Sequence, residues 1–245
     1  NVMGVANLLE AARQVESVKV IVNVTTDKCY KNNEWLWPYR ENEALGGHDP
    51  YSSSKACAEI ISAAYRDSFF AKSGVQLATA RAGNVIGGGD WSKDRLVPDV
   101  LRALDAGETI SIRSPSSIRP WQHVLEPISG YILLAQMLGE NENKYSEAWN
   151  FGPEENDCWT VGRIVSHICK YTETGSWVSP KTEQPHEAGL LKLDSSKAKN
   201  NLGWTPKWHV GEALEKTIQW HQKFVAGEDM YDFSVAQIME YQGSS

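Results

Sequence analysis

Apolar side chains recur along this chain with two different periods. Near the start, Val2, Val5 and Leu9 are spaced three or four positions apart, which predicts a helix over residues 1–13 with Asn1 as its N-cap. The β-branched run at residues 18–25 is typical of a strand buried in a parallel sheet. The opening of the chain therefore predicts a helix followed by a buried strand.

The same two patterns continue, less regularly after residue 96. The predicted helices cover residues 1–13, about 51–70, 98–106, 123–138, 160–171 and 210–226, with a small helix capped by Asp194 or Ser195. The predicted strands cover residues 18–25, 76–81, 109–112, 148–151 and 191–193. Residues 83–91 are predicted to form a glycine-rich loop, and the tail at 243–245 to be disordered. The alternation of helix and strand predicts a doubly wound α/β fold.

Composition narrows the classes of function. The 245 residues carry a net charge of −7 with a pI of about 5.4, which argues against nucleic acid or an anionic membrane as a partner. No apolar run approaches the ~20 residues of a membrane span. The four cysteines contain no Cys-x-x-Cys pair, and no histidine cluster has ligand spacing. We therefore expect reduced thiols in a cytoplasmic protein and no metal site.

The most informative chemical pair is Tyr51 and Lys55, four residues apart at the start of a predicted helix. This spacing stacks the ammonium beside the phenol on one helix face, and a neighbouring cation favours the phenolate. The pair can then accept the proton of an alcohol near neutral pH. Alone it is a weak signal, because both residues are common on helices, and a surface tyrosine beside a solvated lysine is the alternative.

Thr26, Asp27 and Lys28 follow directly after the strand predicted at residues 18–25. In open α/β sheets, ligands bind at the carboxyl ends of the strands. We therefore expect these three side chains to face a ligand site. The polar, aromatic-bearing loop at residues 31–50 is long enough to suggest a function of its own.

Several motifs follow one another in an order that resembles a single enzyme family. They are Asn1-x-x-Gly4-x-x-Asn7, Thr25-Thr26-Asp27, Tyr51-x-x-x-Lys55, Arg81-x-x-Asn84, Asn150-Phe151-Gly152 and Leu202-Gly203-Trp204. Over nearly the whole chain, this order resembles the extended short-chain dehydrogenase/reductase family of nucleotide-sugar enzymes. The resemblance implies NAD as the cofactor, a nucleotide sugar as the substrate, and a homodimer or higher homo-oligomer.

The resemblance also implies a domain arrangement and roles for the pair. Residues 1–85 would form the C-terminal portion of a Rossmann-like NAD-binding domain with a doubly wound parallel sheet. Residues 86–242 would form mainly a smaller mixed α/β nucleotide-sugar-binding domain, with segments after residue 85 able to return to the first. Tyr51 would be the base of the hydride step, Lys55 its tuner and a ribose contact, and Thr26 a hydrogen-bond donor near O4 of the sugar.

Asp27 and Lys28 resemble the acid and the second acid–base group of the 4,6-dehydratases within that family. After hydride leaves C4 of the sugar, the C5 proton becomes acidic and the C6 hydroxyl must depart as water. By resemblance, Asp27 supplies the proton of the leaving hydroxyl. Lys28 stands where dTDP-glucose enzymes carry a glutamate. It either takes the C5 proton as a neutral amine or has a positioning role.

Asn84, Arg95, Arg113 and Arg119 match positions where the family grips the nucleoside diphosphate, a dianion suited to guanidinium groups. For Arg95 and Arg113, an ordinary surface charge is the alternative. A later family segment that usually carries an arginine lacks it here, at His186 and Glu187, which weakens any role for those two residues.

The loops at residues 34–50, 88–95 and 119–127 resemble those of family members that act on CDP-glucose. The expected reaction is NAD-dependent dehydration of CDP-glucose to the 4-dehydro-6-deoxy sugar, in deoxysugar and O-antigen biosynthesis. Three alternatives remain: a dehydratase for another nucleotide sugar, an epimerase or reductase, and a non-catalytic sugar-nucleotide-binding protein.

One family feature has no match in the chain. No Gly-x-x-Gly-x-x-Gly turn joins a first strand to a helix, although such a turn would cradle the pyrophosphate of NAD. From the resemblance we expect three βα units, on the order of 90–100 residues, before Asn1. The N-terminal part of the Rossmann domain is therefore expected to be absent from this chain.

Overall fold

The computed structural model describes residues 1–140, 144–180 and 189–244. Its helices are α1 (Val2–Arg13), α2 (Pro50–Tyr65), α3 (Ala71–Ser73), α4 (Leu96–Asp105), α5 (Leu125–Glu140), α6 (Val161–Thr172), α7 (Ser196–Leu202), α8 (Val210–Val225) and α9 (Met230–Gly243). Its strands are β1 (Val20–Val24), β2 (Gln76–Ala82), β3 (Asn84–Ile86), β4 (Ile110–Ser111), β5 (Trp121–His123), β6 (Ala148–Phe151) and β7 (Trp177–Val178). Short 3-10 turns cover Asp27–Cys29 and Glu155–Asp157, and a π-helical turn, Arg66–Phe70, joins α2 to α3.

The predicted α/β class is confirmed, and the chain divides into two compact units. Unit 1 consists of Asn1–Gly83, Pro127–Gly152 and Leu191–Thr205, and unit 2 of Asn84–Glu126, Pro153–Leu190 and Pro206–Ser245. Residues after 85 thus contribute to both units.

A three-stranded parallel sheet in the order β1-β2-β6 forms the centre of unit 1. All of β2 is buried because it is the middle strand, whereas β1 at the edge is only partly covered. Successive side chains of β2 point to opposite faces. Leu77 packs with Leu9 of α1, and Ala78 packs with Leu134 of α5 and Trp149. Helices therefore cover both faces of the sheet.

Unit 2 contains two short parallel strand pairs, β3 with β5 and β4 with β7. Its core is formed largely by the apolar faces of three helices, with Val100 of α4, Ile164 and Ile168 of α6, and Leu214 and Ile218 of α8. Burying these faces supplies most of the stability of such a layer, at about 25 cal/mol per Å² of apolar surface.

A fully buried carboxylate, Glu126, ties the C-terminal helix into unit 2. Its oxygens accept the backbone N–H groups of Lys207 and Trp208 at 3.0 and 2.8 Å, and the hydroxyl of Tyr241 in α9 at 2.7 Å. Burial raises the pKa of Glu126, and these three donors oppose that effect.

Two predicted boundaries are wrong because strand pairing cannot be read from the local pattern. The glycine-rich loop predicted at 83–91 begins with β3, and the residue predicted to start a helix, His123, ends β5. The two strands pair with each other over a long sequence separation. The strand predicted at 191–193 is also wrong, since Leu193 makes only an isolated bridge with Tyr39, a loop residue.

Helix α9 was not predicted, because its apolar residues surround the helix instead of forming one face; they include Met230, Tyr231, Phe233, Val235 and Ile238. The disordered tail is wrong for Gly243, which ends α9, and for Ser244, whose hydroxyl donates to the carbonyl of Glu240 at 3.0 Å.

Candidate active site

The turn that follows β1 carries three of the predicted catalytic residues. Thr26 caps the 3-10 turn Asp27–Cys29, and its hydroxyl accepts the backbone N–H of Lys28 at 3.4 Å. The same hydroxyl donates to Oδ1 of Asp27 at 3.0 Å. Asp27 is buried, with 2% of its surface exposed, whereas Lys28 is exposed. The turn therefore holds the carboxyl group inside and sends the ammonium group outward.

The first turn of α2 supplies the other two predicted catalytic residues. Pro50 occupies the first turn, and the Asp49 carboxylate caps it by accepting the backbone N–H of Ser52 at 2.9 Å. Tyr51, on this capped turn, is 47% exposed. One turn later, Nζ of Lys55 donates to the carbonyl of Val24, at the carboxyl end of β1, at 3.5 Å.

Lys28 joins the two elements. Its Nζ lies over the Tyr51 ring, 5.9 Å from the ring centre, within the range of a cation–π contact. Hydrogen bonds from Ser52 lower the pKa of Asp49, and the charge of Lys28 adds a smaller effect. The structure thus brings Thr26, Asp27, Lys28, Tyr51 and Lys55 to one end of β1.

Tyr131 of α5 is a neighbour of this turn that sequence patterns did not single out. Its ring packs edge-on against Phe151 with centroids 5.6 Å apart. Burial raises the pKa of Tyr131, and the nearby charge of Asp27 adds to the rise. Its apolar neighbours on α5 made it look like an ordinary core position, so the sequence held no signal for it.

The long loop after the turn is organised by aromatic stacking. The Tyr39 ring stacks on Tyr30 at 5.2 Å and on Trp35 at 5.3 Å between centroids. Trp37 lies edge-on to Trp35 and is largely exposed. Trp35 and Tyr39 are therefore held in the loop by stacking, whereas the Trp37 ring faces solvent.

The four predicted substrate-binding residues all belong to unit 2. Asn84 lies beside the Arg119 segment, because its backbone N–H donates to the carbonyl of Pro120 at 3.0 Å. Arg119 is buried, and its Nη1 donates to the carbonyl of Ile118 at 2.9 Å. Arg95 stands exposed before α4 and Arg113 exposed after β4.

His186 and Glu187 lie outside the described residues. Among the residues that the structure does describe, no helix is long and apolar enough to cross a membrane. The same part of the chain contains no group of three or more His, Cys, Asp or Glu side chains arranged to hold a metal ion.

Comparison with known proteins identifies the family. The model of a family described as GDP-mannose 4,6 dehydratase matches residues 1–217. The chain belongs to this family. Its resemblance to the nucleotide-sugar short-chain dehydrogenase/reductases is thereby confirmed. A CDP-glucose 4,6-dehydratase of Salmonella typhimurium strain LT2 is 51% identical over 251 residues, which cover all of this chain and 70% of that protein.

More distant proteins are also similar to this chain. The dTDP-D-glucose 4,6-dehydratase of Mus musculus is 25% identical over 91% of this chain and 61% of its own length. Two crystal structures share the fold. A Bacillus anthracis dTDP-glucose 4,6-dehydratase with NAD has a TM-score of 0.76 and 24% identity, covering 91% of this chain and 67% of its own. A Bacillus cereus UDP-glucuronic acid 4-epimerase has a TM-score of 0.77 and 18% identity, with the same coverage.

Proposed function

We propose that the natural protein containing this chain dehydrates CDP-glucose to CDP-4-dehydro-6-deoxyglucose, with NAD as the cofactor, in deoxysugar and O-antigen biosynthesis. The observation that carries the proposal is the Lys28–Tyr51 contact, which puts the Asp27–Lys28 turn beside the Tyr51–Lys55 helix. An epimerase needs only the second of these elements. The 51% identity to a CDP-glucose 4,6-dehydratase supports the choice of nucleotide.

Tyr51 and Lys55 carry hydrogen-bond donors that can bind a nicotinamide dinucleotide. The Lys55 ammonium has three donors, and its bond to the Val24 carbonyl uses one of them. The remaining donors are suited to the hydroxyls of a ribose, and the carboxyl end of β1 is where such folds bind nucleotides. When bound, NAD supplies a reversible hydride acceptor.

Tyr51 is the proposed base for the C4 hydroxyl. Nζ of Lys28 lies over the Tyr51 ring, and Lys55 follows Tyr51 one turn later on α2. Thr26, whose hydroxyl donates to Asp27 in this structure, is proposed to turn that donor to O4 of the bound sugar and hold the oxygen near the Tyr51 hydroxyl. A positioned base of this kind contributes about 10²–10⁴-fold to a rate.

Asp27 and Lys28 are the proposed acid and base of the elimination. The Asp27 carboxyl is buried in the turn after β1, and it is proposed to deliver a proton to the departing C6 hydroxyl. Lys28 is the proposed acceptor of the C5 proton. One proton is thus removed at C5 and one is delivered at C6, so that water leaves without a net change in charge. Return of the C4 hydride to C6, with a proton to C5, would complete the 4-dehydro-6-deoxy product.

Asn84, Arg95, Arg113 and Arg119 are proposed as diphosphate ligands of unit 2. Support for Arg95 and Arg113 is their solvent exposure, which leaves them accessible to a dianion that guanidinium groups can bind with two hydrogen bonds. Support for Asn84 is its place beside the buried Arg119 segment.

Two further features belong to the proposal. The exposed apolar residues Met3 and Leu8 of α1 and Ile60 of α2 suit a homodimer or higher homo-oligomer that buries these two helices. The cysteines of the described chain are free thiols, which suits a cytoplasmic enzyme.

The test uses the purified natural protein with NAD and CDP-glucose in D₂O, and follows the sugar by NMR. Wild type should yield the 4-dehydro-6-deoxy product. Asp27→Asn should exchange the C5 hydrogen for deuterium and yet keep the C6 hydroxyl, because proton removal survives while departure of the hydroxyl does not. Asp67→Asn, an exposed aspartate beyond the end of α2, should behave as wild type. A wild-type product with an intact C6 hydroxyl and inverted C4 would instead establish an epimerase.

A further inference from the structure

Glu59 continues the helix face that carries the catalytic pair. Tyr51, Lys55 and Glu59 follow one another at four-residue intervals on α2 and therefore share one face. Along this face the side chains pass from exposed at Tyr51, through partly buried at Lys55, to 3% exposed at Glu59. The Glu59 carboxylate lies at the buried end of this face and therefore needs hydrogen-bond or ion-pair partners inside the protein.

The partners of Glu59 come from both neighbouring strands. One carboxylate oxygen accepts a short hydrogen bond from the hydroxyl of Thr25, at the end of β1. The other accepts the hydroxyl of Thr79 at 2.7 Å and Nη2 of Arg81 at 2.8 Å, both from β2. Burial raises the pKa of Glu59, but the hydrogen bonds and charge of Arg81 outweigh it, so that the pKa lies below its ordinary value.

Arg81 extends this contact to the far side of the catalytic turn. Its Nη1 donates to the hydroxyl of Tyr30 at 2.8 Å and to the carbonyl of Glu41 at 3.1 Å. The Tyr30 hydroxyl in turn donates to Oδ1 of Asn150 at 2.7 Å. The buried charges of Glu59 and Arg81 are thus paired with each other. Glu59 also binds Thr25, and Arg81 also binds Tyr30.

Thr25 and Tyr30 are the residues that immediately precede and follow Thr26 and the turn Asp27–Cys29. The turn is therefore anchored at its start by Glu59 and at its end by Arg81, and Glu59 lies on the helix that carries Tyr51 and Lys55. We propose that the Glu59–Arg81 ion pair is a positioning pair, which sets the distance of Asp27 and Lys28 from Tyr51. This inference rests on the proposed function, and it adds two residues that touch neither the sugar nor the cofactor.

The test compares two substitutions that each remove one hydroxyl bond to Glu59. Thr25→Val and Thr79→Val have the same chemistry, the same loss of a buried hydroxyl and similar volumes, but only Thr25 adjoins the turn. A displacement of about 1 Å at reacting groups can cost about 10²-fold in rate. We expect Thr25→Val to lower kcat at least about tenfold with KM changed less than about threefold, and Thr79→Val to stay within about twofold of wild-type kcat.

Glu59→Gln, which keeps the shape and removes the charge, should lower kcat by about 10²-fold with a similarly small effect on KM. The inference is overturned if Thr25→Val and Thr79→Val have equal kcat, or if the losses appear in KM. Failure of the proposed function would appear elsewhere, in the product made by wild type. The kcat ratio of the two threonine variants is measured for the reaction that wild type catalyses, whether dehydration or epimerisation, because Tyr51 would act in both.

Discussion

The ammonium nitrogen of Lys28 lies 5.9 Å from the centre of the Tyr51 ring, although a loop of some twenty residues separates them in the chain. This contact links the two sequence signals, one at the end of a strand and one at the start of a helix. It gives each lysine near the tyrosine a distinct place, with Lys55 bonded to the Val24 carbonyl and Lys28 against the ring. Their separate roles can therefore be tested separately.

Tyr51→Phe should lower kcat by about 10²–10⁴-fold, because it removes the proton acceptor and keeps the ring that Lys28 contacts. Steady-state kinetics with CDP-glucose and NAD measure the loss. Tyr65→Phe, on the same helix, loses only a 3.4 Å bond to Glu10 and should retain wild-type kcat. Equal rates for Tyr51→Phe and wild type would remove Tyr51 from the chemistry.

Lys28→Met and Lys28→Arg should both abolish deuterium exchange at C5, since neither side chain can take up a proton at neutral pH. NMR of recovered CDP-glucose in D₂O measures the exchange. An arginine variant that keeps exchange within about tenfold of wild type would show that Lys28 acts through its positive charge and is not the base. Lys31→Arg, at an exposed position in the following loop, is the matched control.

The buried imidazole of His123 should make the protein less stable in acid. His123 is buried, and burial, helped by the charge of Lys216, lowers the pKa of its imidazole to about 4. The unfolded chain binds the proton near ~6.5, so the stability contribution is present above that pH and is lost as pH falls towards the folded value. Between pH 7 and 5 the free energy of unfolding should fall by about 2 kcal/mol from this residue alone.

Urea unfolding of wild type and His123→Phe at the two pH values measures this contribution. The variant retains a ring to pack against Trp208, 4.9 Å away in wild type, and should lose about 2 kcal/mol less between pH 7 and 5. Replacing His48, which is exposed, should leave the change in unfolding free energy between pH 7 and 5 as in wild type. An unchanged slope in His123→Phe would mean that His123 is protonated without unfolding.

Tyr241→Phe should cost about 1–3 kcal/mol of stability, because it removes a hydroxyl that donates to the buried Glu126 carboxylate. Denaturant unfolding measures the change. Tyr231→Phe, on the same helix with its ring mostly exposed, should stay within about 0.5 kcal/mol of wild type. A cost no larger at Tyr241 than at Tyr231 would show that water replaces the lost hydroxyl.

Periodicity predicted the elements whose faces are buried locally, such as α1, α2 and β2, because a single apolar face suffices to define them. It missed β5, whose partner β3 is distant in sequence, and α9, where the hydroxyl of Tyr241 donates to Glu126 and the carbonyl of Tyr241 accepts from Lys207. The site followed the same rule. The pair Tyr51 and Lys55 could be recognised from their four-residue spacing. The position of Tyr131 near Asp27 could not, because these residues are distant in sequence and meet only in the folded chain.

The buried bond from Tyr30 to Asn150 has a consequence for how the protein is made. It spans 120 positions. The parallel pairing of β2 with β6, which joins Thr79 to Ala148, is also long-range. A ribosome releases Tyr30 long before Asn150, so the turn Asp27–Cys29 emerges well before the sheet is complete, and the Asn84–Glu126 segment of unit 2 is synthesised in between. During that interval the apolar flank of β2 that β6 later covers is open to other chains. Productive folding of this enzyme should therefore depend on chaperone capacity more than its final stability would suggest.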